Sequence, residues 1–109
     1  MIRACRTVSL AAAPLLLGAC SHFHDAVKDP GADRARTELS RLEADSALSS
    51  RVPVAIREAE EAVSEAEQPR KDPELSSHLS YIADRKVQTA RALAEARVAE
   101  DQLKGLGGP

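Results

Sequence analysis

A run of small residues ahead of a cysteine, Leu17-Gly18-Ala19-Cys20, is the part of the chain whose residue types point most directly to a chemical event. A secretory peptidase needs small side chains at this place, because its cleft holds an extended backbone with little room. The run therefore predicts a cleavage site between Ala19 and Cys20. The alternative is an ordinary N-terminal apolar helix with an incidental cysteine.

The residues upstream have the charge pattern of a targeting segment. Arg3 and Arg6 supply a positive start, and residues 8–17 form an uncharged stretch of ten residues. Ten residues are too few for the ~20 that a membrane-spanning helix needs. Residues 1–19 are thus predicted to be a signal peptide that takes no part in the fold.

This block resembles the signal of bacterial lipoproteins, whose lipobox is here LGAC rather than the commoner LAGC. The resemblance implies that Cys20 receives a diacylglyceryl thioether, that residues 1–19 are removed, and that the new amino group is acylated. In similar lipoproteins of Gram-negative bacteria, an aspartate after the cysteine favours the inner membrane. Ser21 takes that place here, so the resemblance implies an anchor in the outer membrane with the polypeptide on its periplasmic side.

Composition excludes several classes of partner for the processed chain. Removal of Arg3 and Arg6 leaves 13 basic and 17 acidic residues, a net charge of −4. Nucleic-acid binding requires a basic face and is not expected. The two aromatic residues, Phe23 and Tyr81, are too few for a base-stacking platform or an aromatic ligand pocket.

One cluster has residue types that bind metals, His22, His24 and Asp25. A structural zinc site takes four ligands from a fixed scaffold, whereas this cluster lies two residues from Cys20 in a predicted flexible tether. We therefore expect no metal and no cofactor. A periplasmic metal-binding protein using these three residues is the alternative, and zinc calorimetry would distinguish the two.

Nothing in the sequence predicts an enzyme. Paired carboxylates such as Glu58 and Glu61 are expected on a solvated helix face, without the desolvated cleft that general acid–base catalysis needs. Ser64, Ser76, Ser77 and Ser80 have no histidine-and-acid constellation beside them, and no glycine-rich phosphate loop is present. His78 is expected to be a surface or packed residue, and Tyr81 to lie at the edge of the core.

The remaining chain predicts helices. One starts at Asp33 as N-cap and runs to residue 49, a second follows Pro53 to residue 67, and a third runs from Pro73 to residue 104. Because residues 34–66 and 73–104 are nearly equal in length, we expect an all-α fold, a long antiparallel, coiled-coil-like hairpin of two to three helices. It has a break near Pro53.

The predicted domain boundaries follow from these elements. Residues 1–19 are the signal, 20–32 a lipidated flexible tether, 33–106 the hairpin and 107–109 a tail. In the expected register Val63 faces Leu79. The apolar core is thin, so self-association or a protein partner is predicted along residues 56–66 and 79–103. A passive oligomeric spacer is a further alternative.

Five segments of the helical part carry a likeness to a known family. They are Pro53–Glu60, Ala62-Val63, Ala66-Glu67, His78–Val87 and Thr89–Ala94. With these segments the chain resembles, from about residue 38 to residue 106, the domain-of-unknown-function family 4398. The resemblance implies an envelope lipoprotein, often continued by an OmpA-like domain that binds peptidoglycan. The chain stops at Pro109, so we expect no direct peptidoglycan site.

Overall fold

The computed structural model describes residues 25–107, which form four helices. They are α1 (Pro30–Ala44), α2 (Ser46–Ser49), α3 (Pro53–Ala66) and α4 (Pro73–Leu106). Residues 25–107 contain no β-strand, and one isolated antiparallel bridge joins Val27 to Arg70. The prediction of an all-α fold is confirmed.

Helix α4 starts at the predicted residue, Pro73. Asp72 is the N-cap, and its side chain accepts hydrogen bonds from the backbone N–H groups of Glu74 and Leu75 at 3.0 and 3.1 Å. Pro73, which has no N–H to satisfy, occupies the first helical position. The helix then continues for 34 residues, or about 51 Å.

The start of α1 repeats this pattern and differs from the prediction. Asp29, rather than Asp33, is the N-cap, and its carboxylate accepts from the N–H of Gly31 at 2.8 Å. Pro30 takes the first helical position, so Asp33 lies in the first turn. An Asp-Pro pair starts both α1 and α4, and residues 30–32 belong to α1 rather than to a tether.

The helical path between α1 and α3 is interrupted twice, at Asp45 and at residues 50–52. The Asp45 side chain caps the four-residue α2 by accepting from the N–H groups of Ala47 and Leu48 at 3.1 and 3.3 Å. Pro53 then keeps the preceding Val52 out of the helical region, at φ −136° and ψ 50°. The break predicted near Pro53 is present.

The chain reverses at this break, so α1 does not extend α3 as one arm of a hairpin. Arg36 of α1 contacts Glu67 at the far end of α3, and Glu38 lies 3.9 Å from Arg91 of α4. Helix α1 is therefore antiparallel to α3 and parallel to α4. The predicted antiparallel pairing of α3 with α4 holds, and α1 adds a third helix beside that pair. The physical reason is burial: a two-helix hairpin would leave Leu39 of α1 in water, whereas here it is fully buried.

The core follows a seven-residue repeat on all three long helices, as in a coiled coil. Val63 and Leu79 are predicted to face each other; Val63 belongs to the buried hydrophobic cluster, and the partly buried Leu79 packs against that cluster. Buried positions recur at steps of three and four. They are Ala32, Ala35, Leu39 and Leu42 on α1; Ala59, Val63 and Ala66 on α3; and Ser76, Ser80, Ala83, Val87, Ala90 and Ala94 on α4.

The buried face of α4 is made of small side chains. The apolar spacing along α4 also includes Leu75, Leu93 and Leu103, but they are 42%, 39% and 68% exposed. Helix α4 contacts α1 on one side and α3 on the other, so its central line needs short side chains that let both partners approach. Tyr81, predicted at the core edge, is also exposed.

Candidate functional site

The residues predicted for processing and lipidation precede the described part of the chain. Leu17, Gly18, Ala19, Cys20 and Ser21 all lie outside residues 25–107. Their roles remain predictions from the sequence.

The candidate metal cluster also falls mostly outside the described residues. His22 and His24 precede them, and Asp25 is exposed. Within residues 25–107 no group of three His, Cys, Asp or Glu side chains is arranged to hold a metal ion.

One end of the bundle is nearest to Cys20 along the chain, and we call it the proximal end. It consists of residues 25–36, the 67–72 loop and the first turn of α4. Val27 and Arg70 exchange two backbone hydrogen bonds here, at N–O distances of 3.0 and 3.2 Å. This exchange fixes the segment before α1 against the loop before α4.

An ion pair between Arg36 and Glu67 reinforces the proximal end. The guanidinium Nε and Nη2 donate to the two carboxylate oxygens at 3.0 and 2.7 Å, a bidentate arrangement. Hydrogen bonding to Arg36 holds the pKa of Glu67 below its ordinary value, and the same contact raises the pKa of Arg36. Lys28 pairs with Asp33 nearby, and this hydrogen bond raises the pKa of Lys28.

A cavity of about 270 Å³ lies at the proximal end, between the segment before α1 and the start of α4. Two of its lining residues carry buried polar atoms without a hydrogen-bond partner among the described residues, namely Arg70 Nε and Ser76 Oγ. Neither residue was singled out from the sequence. The available signal was Ser76 itself, a polar residue at a core position of the α4 repeat.

The opposite, or distal, end consists of residues 45–55 and 93–107. Arg51 makes two contacts with α4 at this end. The Arg51 Nε donates to Asp101 at 3.0 Å, and the Arg51 carbonyl oxygen accepts from the Arg97 guanidinium. Past this contact, the last turn of α4 carries Leu103 and Leu106, which are 68% and 85% exposed.

Two acidic residues, Glu43 and Glu60, approach each other between α1 and α3. Partial loss of hydration raises the pKa of Glu43, and a contact with Glu60 adds to the effect. Both side chains lie on the exposed surface.

The apolar faces expected to bind a partner differ in their availability. Ala59, Val63 and Ala66 of the 56–66 segment are buried inside the bundle, so this stripe stabilises the fold. Exposed apolar side chains lie instead on the outer surface of α4 and at its tip, where Tyr81, Leu103 and Leu106 are found. His78 is exposed as well, in agreement with the sequence.

Comparison with known proteins identifies one relationship. A family model described as Domain of unknown function (DUF4398) matches residues 31–106, which covers α1 to α4 almost completely. No curated protein and no solved structure matches the chain. Among the described helices, none is long and apolar enough to cross a membrane.

Proposed function

Because the chain belongs to the DUF4398 family and its N-terminal residues resemble a lipobox, we propose that it is a lipid-anchored helical module of the bacterial envelope. Cys20 carries the lipid in the outer membrane, and the helices lie in the periplasm. The module acts by binding a protein partner or a second copy of itself, not by catalysis.

The parallel arrangement of α1 and α4 is the observation that carries this proposal. The chain enters the bundle at the proximal end and leaves α4 at the distal end. Five residue steps from Cys20 to Asp25 span at most about 18 Å, whereas α4 is about 51 Å long. A lipid on Cys20 therefore keeps the proximal end near the membrane and allows the distal end to reach outward.

The distribution of apolar side chains supports a binding role. The three helices enclose their own core, so the bundle does not need α4's exposed residues for packing. Leu103 and Leu106 are exposed at the tip that lies farthest from Cys20 along the bundle. An exposed apolar tip on a tethered rod suits contact with a partner held away from the membrane surface.

Metabolic labelling with palmitate tests the anchor. We expect the wild-type chain to incorporate the label and Cys20→Ala to lose it and accumulate as the uncleaved precursor. Cys5→Ala is the matched control, because Cys5 lies inside the predicted signal and should leave labelling unchanged. Absence of label in the wild-type chain would exclude the lipoprotein assignment.

Density-gradient fractionation in a Gram-negative host tests the membrane. The wild-type chain should migrate with outer-membrane markers, and Ser21→Asp should move it toward the inner membrane. Ser21→Thr, which adds no charge, should behave as wild type. Co-migration of the wild-type chain with the inner membrane would contradict the proposed location.

A further inference from the structure

The cavity at the proximal end has walls that the backbone holds in place. The segment before α1 forms one wall and the loop before α4 the other, and the paired hydrogen bonds between Val27 and Arg70 join the two. Each of these two segments leads directly into a helix, α1 or α4, that begins at an Asp-Pro pair. The cavity is therefore a property of the fold rather than a gap between surface side chains.

Two donors in this cavity lack acceptors. Ser76 is only 4% exposed, and its Oγ has no hydrogen-bond partner among residues 25–107. Arg70 Nε is likewise shielded and unpartnered, although Nη2 of the same side chain pairs with Glu65. Buried polar groups are normally hydrogen-bonded, so two such donors in one cavity indicate a missing acceptor.

The start of α4 does not supply the attraction for that acceptor. Its first free N–H groups, of Glu74 and Leu75, already donate to the Asp72 side chain, and that of Ser76 donates to the Asp72 carbonyl oxygen. The affinity of the cavity therefore depends on its side chains.

One cation of the lining is left to attract an anionic ligand. Lys28, Arg70 and Lys71 line the cavity together with Asp25 and Asp29, and Lys28 and Arg70 are already paired with Asp33 and Glu65. Of these cations, Lys71 has no ion-pair partner in the described part of the chain. The remaining lining is largely apolar and includes Pro30 and Pro73.

We propose that this cavity binds the phosphodiester of a phospholipid headgroup. Arg70 Nε and Ser76 Oγ donate to the phosphate oxygens, Lys71 supplies the nearby positive charge, and Val27, Pro30 and Pro73 contact the glycerol carbons. A phosphodiester carries one negative charge and flanking carbon atoms, which matches the unpaired Lys71 and the apolar walls. The membrane as its source rests on the proposed function, since the lipid on Cys20 keeps the cavity within about 18 Å of the bilayer surface.

Titration with a deacylated headgroup tests the site directly. The full chain in a non-ionic detergent is titrated with glycerophosphoglycerol, and the side-chain Nε–H signal of Arg70 is followed by NMR. We expect a saturable shift, weaker binding of inorganic phosphate, and no shift with glycerol. Absence of a saturable shift would overturn the proposal. Equal binding of inorganic phosphate would also overturn it, because the ligand would then be a free phosphate anion and not a lipid headgroup.

A pair of neighbouring serines separates binding from folding. Ser76→Ala removes one donor and should weaken glycerophosphoglycerol binding about tenfold, while leaving thermal stability equal or higher because an unpaired buried hydroxyl is lost. Ser77→Ala, on the exposed side of the same turn, should change neither. Equal affinity in the two variants contradicts the site.

Failure of this proposal is distinguishable from failure of the anchor. Headgroup titration follows the Arg70 side chain and does not require a lipid on Cys20. Palmitate labelling, in turn, does not depend on Arg70 or Ser76. A labelled chain without the NMR shift overturns the cavity proposal alone.

Discussion

The proximal and distal ends of the bundle use the same helices but are held together differently. At the proximal end, backbone pairing of Val27 with Arg70 and a bidentate ion pair between Arg36 and Glu67 join all three long helices. At the distal end, the polar contacts of Arg51 with Asp101 and Arg97 join the α2–α3 segment to α4. The last turn of α4 then continues without neighbours.

Helix α4 accordingly needs different side chains at its two ends. Where α4 contacts two helices, its central line consists of serine, alanine and one valine, because larger side chains would hold the partners apart. Where α4 emerges from the bundle, leucine is tolerated, because nothing packs against it. Leucine content along α4 is thus a poor guide to burial, and the position of the neighbouring helices decides it.

The largest contrast should come from matched leucine truncations. Leu39 is fully buried and Leu103 is 68% exposed. Leu39→Ala should lower the free energy of unfolding by about 2–5 kcal/mol, and Leu103→Ala by less than about 0.5 kcal/mol. Urea denaturation followed by circular dichroism at 222 nm measures both. Similar losses in the two variants would show that the tip of α4 is packed as closely as the interior of the bundle.

Two glycines give the next largest contrast. A Cβ at Gly31 would lie 2.7 Å from Asp29 Oδ1 and 3.0 Å from Ser80 Cβ, whereas a Cβ at Gly105 would meet nothing within 4 Å. Gly31→Ala should therefore destabilise the fold by about 1–2 kcal/mol through overpacking. Gly105→Ala should be neutral or stabilising by up to about 1 kcal/mol, because alanine is the better helix former. Thermal unfolding of both variants decides, and a stabilising Gly31→Ala would show that α1 and α4 are not in close contact there.

Double-mutant cycles should rank the ion pairs of the two ends. The Arg36–Glu67 pair is bidentate and partly shielded, with side chains 36% and 27% exposed. The Asp101 side chain of the Arg51–Asp101 pair is 55% exposed. We expect a coupling energy of about 0.5–1 kcal/mol for the first pair and about 0.2–0.5 kcal/mol for the second. The reverse order would indicate that the distal contact is the stronger one.

Two carboxylates should respond to pH with opposite signs. The lowered pKa of Glu67 means that its ionised form stabilises the fold above the ordinary value of 4.5, and this contribution is lost as the pH falls through the lowered pKa. The raised pKa of Glu43 means that its ionised form destabilises the fold above that raised pKa, and protonation relieves this at lower pH.

At pH 7, Glu67→Gln should therefore decrease stability and Glu43→Gln increase it, each by about 0.5 kcal/mol or less. Both differences should shrink when unfolding is measured near pH 3. A destabilising Glu43→Gln at pH 7 would mean that Glu43 has a favourable partner.

Helix positions followed well from the sequence where a start signal was strong. The Asp72-Pro73 pair predicted the start of α4, and Pro53 predicted that of α3. The equivalent Asp29-Pro30 pair lies in the segment predicted to be a tether, because residues 21–32 have no usable helical periodicity. Only the packing of Gly31 against Ser80 explains why a glycine is suitable in that helix.

Helix arrangement followed less well, because it depends on contacts between distant residues. Periodicity places Leu39 on an apolar face but does not indicate whether α1 extends α3 or folds back beside it. The proximal cavity could not be predicted from the sequence for a similar reason. Arg70 and Ser76 come together only because the 67–72 loop and the start of α4 are fixed against residues 25–30.

The parallel course of α1 and α4 has a mechanical consequence. A pull on the chain ahead of α1 and an opposing pull on the end of α4 act along the bundle axis and in opposite directions on these two neighbours. Such a load shears their whole interface at once, so many contacts share the force. In a simple two-helix hairpin both chain ends lie together, and the same load would peel the helices apart from one end. The third helix thus makes the bundle suited to bear tension between its two ends.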